Sequence, residues 1–279
     1  MRRKLKPLTP GQRHRVRMKR ETEGGSKEIP LGLRKGKKQK SGRNNRGRIT
    51  VRHRGGGWKR LRRSVYPKTT RGKREERGRG KVRGVQYDPN RTGRLALVEW
   101  KTVEGEIGYT YVLAGEGVKP GQEIEVGVKV GQSVQKGSTR KLKDIPIGTE
   151  VFNLELEPGK GGKYMRSAGT GGTLLRKPEG KARVRLPSGT RIEVSVECKA
   201  SVGRVAGEEH GMETVGKAGR NRNRGWRPTV RGEAMNPVDH PHGGRTRGGR
   251  PEVTPWGRLA KGKPTRSKKK VSRWMVAKG

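Results

Sequence analysis

Lys81-Val-Arg-Gly-Val-Gln-Tyr-Asp-Pro-Asn-Arg-Thr-Gly-Arg-Leu-Ala-Leu-Val-Glu-Trp-Lys-Thr102 decides the fold of this chain. Two runs rich in β-branched, aliphatic and aromatic residues, Lys81 to Tyr87 and Arg94 to Thr102, flank the turn signal Asp88-Pro89-Asn90. Proline there presets φ, and Asp and Asn bond back to nearby backbone, so the stretch reads as two strands separated by a turn. The same texture continues outward. Further strands are expected at Tyr109 to Leu113, Glu123 to Val126, Glu150 to Leu156, Lys163 to Ala168, Thr173 to Arg176, Ala182 to Leu186 and Arg191 to Val196. Lys119-Pro120-Gly121, Ile145 to Gly148, Pro158-Gly159 and Pro187-Ser188-Gly189 punctuate them. Many short strands with regular turns point to small barrels, and the roughly 125 residues involved suffice for two. The spacer Gly127 to Lys143 divides them in this reading.

Outside that region the pattern fails and charge takes over. The 279 residues carry 70 Lys+Arg against 25 Asp+Glu, a formal charge of +45, with 27% hydrophobic and 4% aromatic residues. Residues 1–70 hold 25 basic and 3 acidic side chains, and residues 201–279 hold 19 and 6. A free globule so charged repels itself, whereas basic arms that neutralise phosphate release condensed counterions. Apolar residues in 1–63, such as Ile29, Leu31 and Leu33, are scattered among charges, so this part reads as an extended arm. After Cys198 the strand pattern decays again, leaving a short apolar patch at Ser201 to Ala206 and then a second arm. The arms are expected to fold on binding. The expected organisation is a basic extension over 1–70, a first barrel over 71–126, a second barrel over 127–200 and a Gly/Arg/Pro-rich extension over 201–279.

The basic segments lack the wide apolar face of an interfacial helix, and no run approaches the ~18 apolar residues of a span, so no membrane partner is expected. One cysteine, Cys198, excludes an intrachain disulfide framework and reads as a small buried residue. The first twenty residues are Arg-rich and acid-free, as in a transit peptide, but lack serine and an apolar face and read as mature protein.

Three arm segments carry the candidate chemistry. In Ser41 to Arg60, glycines permit tight turns while Arg43, Arg46, Arg48, Arg52, Arg54, Lys59 and Arg60 supply donors for phosphate oxygens, with Asn44, Asn45, His53 and Trp58 among them. No Gly-Lys-Ser/Thr ending makes this a P-loop. Lys217, Arg220, Arg222, Arg224, Trp226, Arg227 and Arg231 form the second cluster. Third is Met235-Asn-Pro-Val-Asp-His-Pro-His-Gly-Gly244, whose two prolines and terminal glycines suit no ordinary helix or strand; it is expected to need an outside partner to order it. Asn236, Asp239, His240, His242, Arg245 and Arg247 are its candidate contacts. Trp58, Trp226, Trp256 and Trp274 lie in arm sequence and are expected to stack on bases, whereas Trp100 ends an apolar strand and belongs to a core.

Asp239, His240 and His242 also admit a general-base or metal-ligand reading. No nucleophile motif stands beside them, and two histidines without a third or fourth donor hold metal poorly. Asp88, Asp144 and Asp239 are the only aspartates and lie in separate motifs, against a nucleic-acid-processing enzyme with an acidic metal cluster. A general RNA chaperone would fit the charge but has no use for the 235–244 segment.

The chain resembles the large-subunit ribosomal protein L2 family, in its bacterial or organellar form. The resemblance rests on Gly42-Arg-Asn-Asn-Arg-Gly-Arg-Ile-Thr50, His53-Arg-Gly-Gly-Gly57, Tyr87-Asp-Pro-Asn-Arg91, Arg166-Ser-Ala-Gly-Thr170, Arg183-Val-Arg-Leu-Pro-Ser-Gly189, Gly216-Lys-Ala-Gly-Arg220, Met235 to Gly244 and Thr254-Pro-Trp-Gly257. It implies a mostly β fold, an OB-like barrel followed by an SH3-like barrel, with long basic irregular extensions threading RNA. The implied role is that of a structural constituent of the large ribosomal subunit rather than an enzyme. Large-subunit rRNA and neighbouring large-subunit proteins are the implied partners, with a small-subunit rRNA contact and no cofactor beyond Mg2+ carried by rRNA. By motif, family RNA contacts fall on Arg91 and Arg166, with a further one around Lys68 and Arg71, and the 235–244 loop approaches the peptidyl transferase region. The chain departs from the family in Arg245-Thr-Arg247, where relatives continue with glycines and an acid, and in Trp58, where relatives have His. Arg94 to Trp100 and Thr246 to Pro251 look closer to mitochondrial versions. The expected compartment is therefore the mitochondrial matrix or the bacterial cytoplasm.

Overall fold

The structure is a computed structural model and describes residues 2–18, 31–65, 78–101, 107–126, 135–244, 251–262 and 274–276. Its elements are mostly strands: β1 (Arg2–Lys4), β2 (Val16–Met18), β3 (Arg34–Gly36), β4 (Leu61–Arg63), β5 (Gly78–Gln86), β6 (Leu95–Lys101), β7 (Ile107–Leu113) and β8 (Glu123–Val126). They continue with β9 (Thr139–Lys141), β10 (Glu150–Phe152), β11 (Leu154–Glu155), β12 (Gly162–Tyr164), β13 (Gly172–Arg176), β14 (Lys181–Arg185), β15 (Arg191–Ser195) and β16 (Lys199–Val202). Two short α-helices, α1 (Pro10–Arg13) and α2 (Ala218–Asn223), and four short 3-10 helices complete the described elements.

Ten strands form one curled sheet in the order β15-β14-β13-β10-β16-β9-β8-β5-β6-β7. Every pairing is antiparallel except β8 with β9, which meet in parallel at Val126 and Thr139. The decisive stretch sits at one end of this sheet, with β5 and β6 paired over Gly80↔Trp100 to Gln86↔Leu95 across a bulge between Val82 and Gly84. Its Leu-Ala-Leu-Val run is continuous rather than alternating because both faces of β6 are buried. Ala96 and Val98 pack with Val82, Val85, Val112, Ala114, Val118 and Ile124. Leu95 and Leu97 turn the other way, with Tyr111 and Leu113, into a cluster that includes Phe152, Leu154, Leu174, Val184, Ile192 and Val205.

Several expectations are corrected. The N-terminal arm is not featureless: β1 pairs with β2, and β3 with β4. Glu150 to Leu156 is broken at Asn153, whose φ of 52° ends β10 and starts β11. Lys163 to Ala168 shrinks to β12 because Met165, at φ 53°, turns the chain. Two strands escaped the sequence reading. β9 lies inside the spacer, where buried Arg140 donates to the buried Glu125 carboxylate at 2.9 Å, so a core position carries a charged residue. β16 follows Cys198, and the 201–206 patch is core, with Val202 and Val205 buried. Trp274 is corrected as well. It packs on the larger core cluster while its carbonyl accepts the Glu193 amide at 2.9 Å and Met275 bridges Ile192.

The chain divides into two units, residues 1–38, 59–216 and 274–279 in one and residues 39–58 with 217–273 in the other. The second unit contains no described β-sheet strand and draws its order from the two arms.

Candidate nucleic-acid interface

Residues 39–58 and 217–273 carry 23 Lys+Arg against 3 Asp+Glu, so the unit they form cannot neutralise its own charge. Its backbone is nevertheless tightly specified. Asn44 Oδ1 accepts the amides of Arg46 and Arg48 at 2.9 and 3.0 Å, and the Asn44 amide donates to the Arg48 carbonyl. The carbonyl of Gly42 accepts the amides of Thr50 and Val51. Gly42 has φ 75°, and a Cβ there would lie 2.0 Å from the Val51 carbonyl oxygen, so only glycine fits. The closed loop leaves Arg43, Asn45, Arg46, Arg48 and Arg52 exposed, while Asn44 serves as the turn's internal organiser.

The 53–58 segment lies against the 223–227 segment of the other arm. The Arg227 amide donates to the His53 carbonyl, Gly55 to Gly225 and Trp58 to Asn223, each at 2.9–3.0 Å. Arg54 and Trp226 form an antiparallel bridge, and the Arg54 guanidinium lies 3.3 Å from the Trp226 ring centroid. Such stacking is worth roughly 0.5–1 kcal/mol at an exposed site. Trp226 is therefore partly occupied by a protein cation. Trp58 is 68% and Trp256 73% exposed, leaving broad apolar faces, with Arg52 5.6 Å from the Trp256 centroid. Lys217, Arg224 and Arg227 are exposed around α2, and Arg220 and Arg222 are half-buried.

The 235–244 loop closes on itself, which corrects the expectation that only an outside partner could order it. The Gly244 amide donates to the Met235 carbonyl at 3.2 Å, Gly243 to His240 at 2.8 Å, and both Asp239 and His240 to Asn236. His240 is buried, and its ring lies on Gly232, where a Cβ would come within 2.5 Å of Nδ1. His240 Nδ1 accepts the His242 amide at 3.0 Å, and the two rings stand 4.8 Å apart. His242 Nε2 is 2.9 Å from the Pro251 carbonyl. Both imidazoles thus brace the loop. Asn236, Asp239 and Arg231 are exposed, and Val238, 91% exposed, forms the tip. Among the described residues no group of three His, Cys, Asp or Glu side chains is arranged to hold a metal ion.

Other expected contacts lie in the sheet-bearing unit and are engaged internally. Arg91 Nε donates to Asp88 Oδ2 at 2.7 Å, Arg166 Nη1 to the Gly162 carbonyl at 2.8 Å and Arg60 Nη1 to the Pro89 carbonyl at 3.1 Å. Lys59 is exposed. Lys68, Arg71, Arg245 and Arg247 lie outside the described residues. Sequence reading missed Gly232, the platform for His240, because glycine's role here depends on a ring eight residues away.

Residues 31–126 match the sequence model described as the RNA binding N-terminal domain of ribosomal proteins L2, and residues 135–270 match that of their C-terminal domain. The chain is 44% identical over 274 residues to the large ribosomal subunit protein uL2 of Paracoccus denitrificans, covering 97% of this chain and 94% of that protein. It is 45% identical over 276 residues to uL2 of Parvibaculum lavamentivorans, covering 98% and 95%, and 45% identical over 273 residues to uL2 of Brucella abortus, covering 97% and 95%. With an RNA-binding domain matched across β5 to β8, and with relatives aligned through both arms, the chain belongs to the ribosomal protein L2 family.

Proposed function

We propose that this protein is a structural constituent of the large ribosomal subunit that binds large-subunit rRNA. The observation that carries the reading is the unit of 39–58 and 217–273, built of loops around the short helix α2, with 23 cations, 3 carboxylates and, over its described residues, a backbone fixed by its own hydrogen bonds. Pre-set arginine forks match phosphate oxygens bidentately and lose little entropy on contact, and exposed tryptophans offer stacking surfaces to unpaired bases. In this reading the loop over 235–244 is a braced wedge that scaffolds RNA near the peptidyl transferase centre, and its histidines act through structure. Residues 71–126 and 127–200 supply an OB-like and an SH3-like barrel, β16 carrying the second strand set to Val202. Neighbouring large-subunit proteins and a small-subunit rRNA contact complete the proposed set of partners. The relatives named above are bacterial, which favours a bacterial large subunit; the mitochondrial expectation draws no support from them.

The test is binding of a large-subunit rRNA transcript as a function of salt. Each phosphate neutralised contributes about −0.7 on single strands and about −0.9 on B-form duplex to the slope of log K against log salt. Replacing Arg43, Arg46 and Arg48 by alanine is expected to weaken binding and reduce that slope by about 2 to 3. Unchanged affinity and slope would overturn the assignment of this unit as the interface.

A further inference from the structure

The hairpin of β3 and β4 has three rungs, Arg34↔Arg63, Lys35↔Arg62 and Gly36↔Leu61. Two of them set like charges directly opposite each other, an arrangement that destabilises a strand pair unless an anion sits between or beside the cations. For the Arg34↔Arg63 rung the protein supplies that anion. Asp88, whose side chain is wholly enclosed, has Oδ1 3.8 Å from Arg63 Nη1. The same carboxylate is fixed from two other directions, by the Arg91 Nε at 2.7 Å and the Asn90 amide at 2.8 Å. The Asp88 turn also grips the hairpin's flanks. Asn90 Nδ2 donates to the Leu61 carbonyl at 2.8 Å, and Arg60 Nη1 donates to the Pro89 carbonyl at 3.1 Å.

Among the described residues the Lys35↔Arg62 rung has no such counterion. Both side chains are exposed, and neither makes an ion pair among the described residues. Two cations held at cross-strand spacing on a docked hairpin suit a tetrahedral oxyanion that bridges them, Arg62 giving forked donors and Lys35 a point charge.

We propose that the Lys35–Arg62 rung is a phosphate subsite for the RNA backbone, and that Asp88 is the positioning residue that holds the hairpin in place for it. The proposal rests on the RNA-binding reading above. It gives the Tyr87 to Arg91 turn an internal purpose: Arg91 acts through Asp88, as part of the clasp.

The experiment measures binding of the full chain to a large-subunit rRNA transcript across a salt series. Three proteins are compared with wild type: the Lys35→Ala/Arg62→Ala double variant, Asp88→Asn, and the combination. Amide hydrogen exchange over residues 31–65 is followed in parallel. The double variant is expected to bind about tenfold more weakly, with a slope shallower by about 1 and hairpin protection intact. Asp88→Asn is expected to lose protection in 31–65 and to weaken binding by a similar factor. In the combined variant the two losses are expected to fall short of additive, since both act through one subsite. Should Asp88→Asn fail to fold, Asn90→Ala, which removes the bond to Leu61 from a half-buried side chain, takes its place with the same expectation. Wild-type affinity and slope in the double variant, while the Arg43/Arg46/Arg48 variant still weakens binding, would overturn the subsite and leave the RNA reading standing. No change in any of these variants would overturn both.

Discussion

Glu197 shows how single side chains are tuned on this surface. Hydrogen bonds from Lys141 and then Lys143, at 2.7 and 2.8 Å, hold its carboxyl down at about 2, below the ordinary 4.5. A depressed carboxylate contributes stability that is fully present above the unfolded value and is lost as pH falls through the folded one, so this contribution fades between about 4.5 and 2. Titration of the Glu197 carboxyl by NMR is expected to give a midpoint near 2 in the native protein and a return toward 4.5 in Lys141→Met/Lys143→Met. Cys198 is tuned in the opposite sense. Burial pushes its thiol up to about 11, so alkylation of the folded chain at pH 8 is expected to be negligible and to appear on unfolding. Gly42 is constrained by space, because a Cβ would strike the Val51 carbonyl. Gly42→Ala is expected to cost the 41–51 loop about 1–3 kcal/mol and to show as faster amide exchange at Thr50 and Val51. Legibility in the sequence was uneven at this scale. The exposed arginines of 43–52 could be picked out because charge and position in a Gly-rich run suffice. Arg140 could not, since a buried arginine paired with a glutamate on the adjacent strand, fifteen residues away in sequence, looks in sequence like a solvent-facing one.

Among elements, the junction of β11, β12 and β16 depends on one carboxylate. Buried Glu155 accepts the amides of Gly159, Gly161 and Lys199 at 3.3, 3.1 and 3.0 Å, tying the turn after β11 to the start of β16. Removing it leaves three amides without that acceptor, those of Gly161 and Lys199 half-buried. Glu155→Ala is expected to lower unfolding free energy by about 2–3 kcal/mol, measurable by urea denaturation, while a change at nearby exposed Lys160 should not. β6 was readable because a strand buried on both faces has an uninterrupted apolar run. β9 and β16 were not, being three and four residues long and rich in polar or charged residues whose partners are distant in sequence. The same limit explains the arms. The bonds from Gly55 to Gly225 and from Arg227 to His53 join segments about 170 residues apart, and no local periodicity encodes them.

At the scale of the molecule, order and charge are divided. The sheet-bearing unit contains the apolar cores and internal ion pairs such as Arg140 with Glu125 and Arg204 with Glu150. In the other unit, cations outnumber carboxylates so far that a polyanion is needed to balance them. Binding is accordingly expected to fall steeply with salt, and thermal stability of the free protein to rise when a polyanion such as RNA is added. Family membership was legible because eight motifs occur in order along the chain. The fixed conformation of the 235–244 loop was not, since it depends on His240 settling on Gly232.

The most direct test of rRNA binding by the paired arms is crosslinking of the native protein in its own cell lysate, after gradient sedimentation, with both the RNA and the peptide sequenced. The expected result is crosslinks to large-subunit rRNA in the large-subunit fraction, concentrated in peptides from 39–58 and 217–244. Crosslinks scattered over many RNAs in light fractions, or confined to the sheet-bearing unit, would contradict the account.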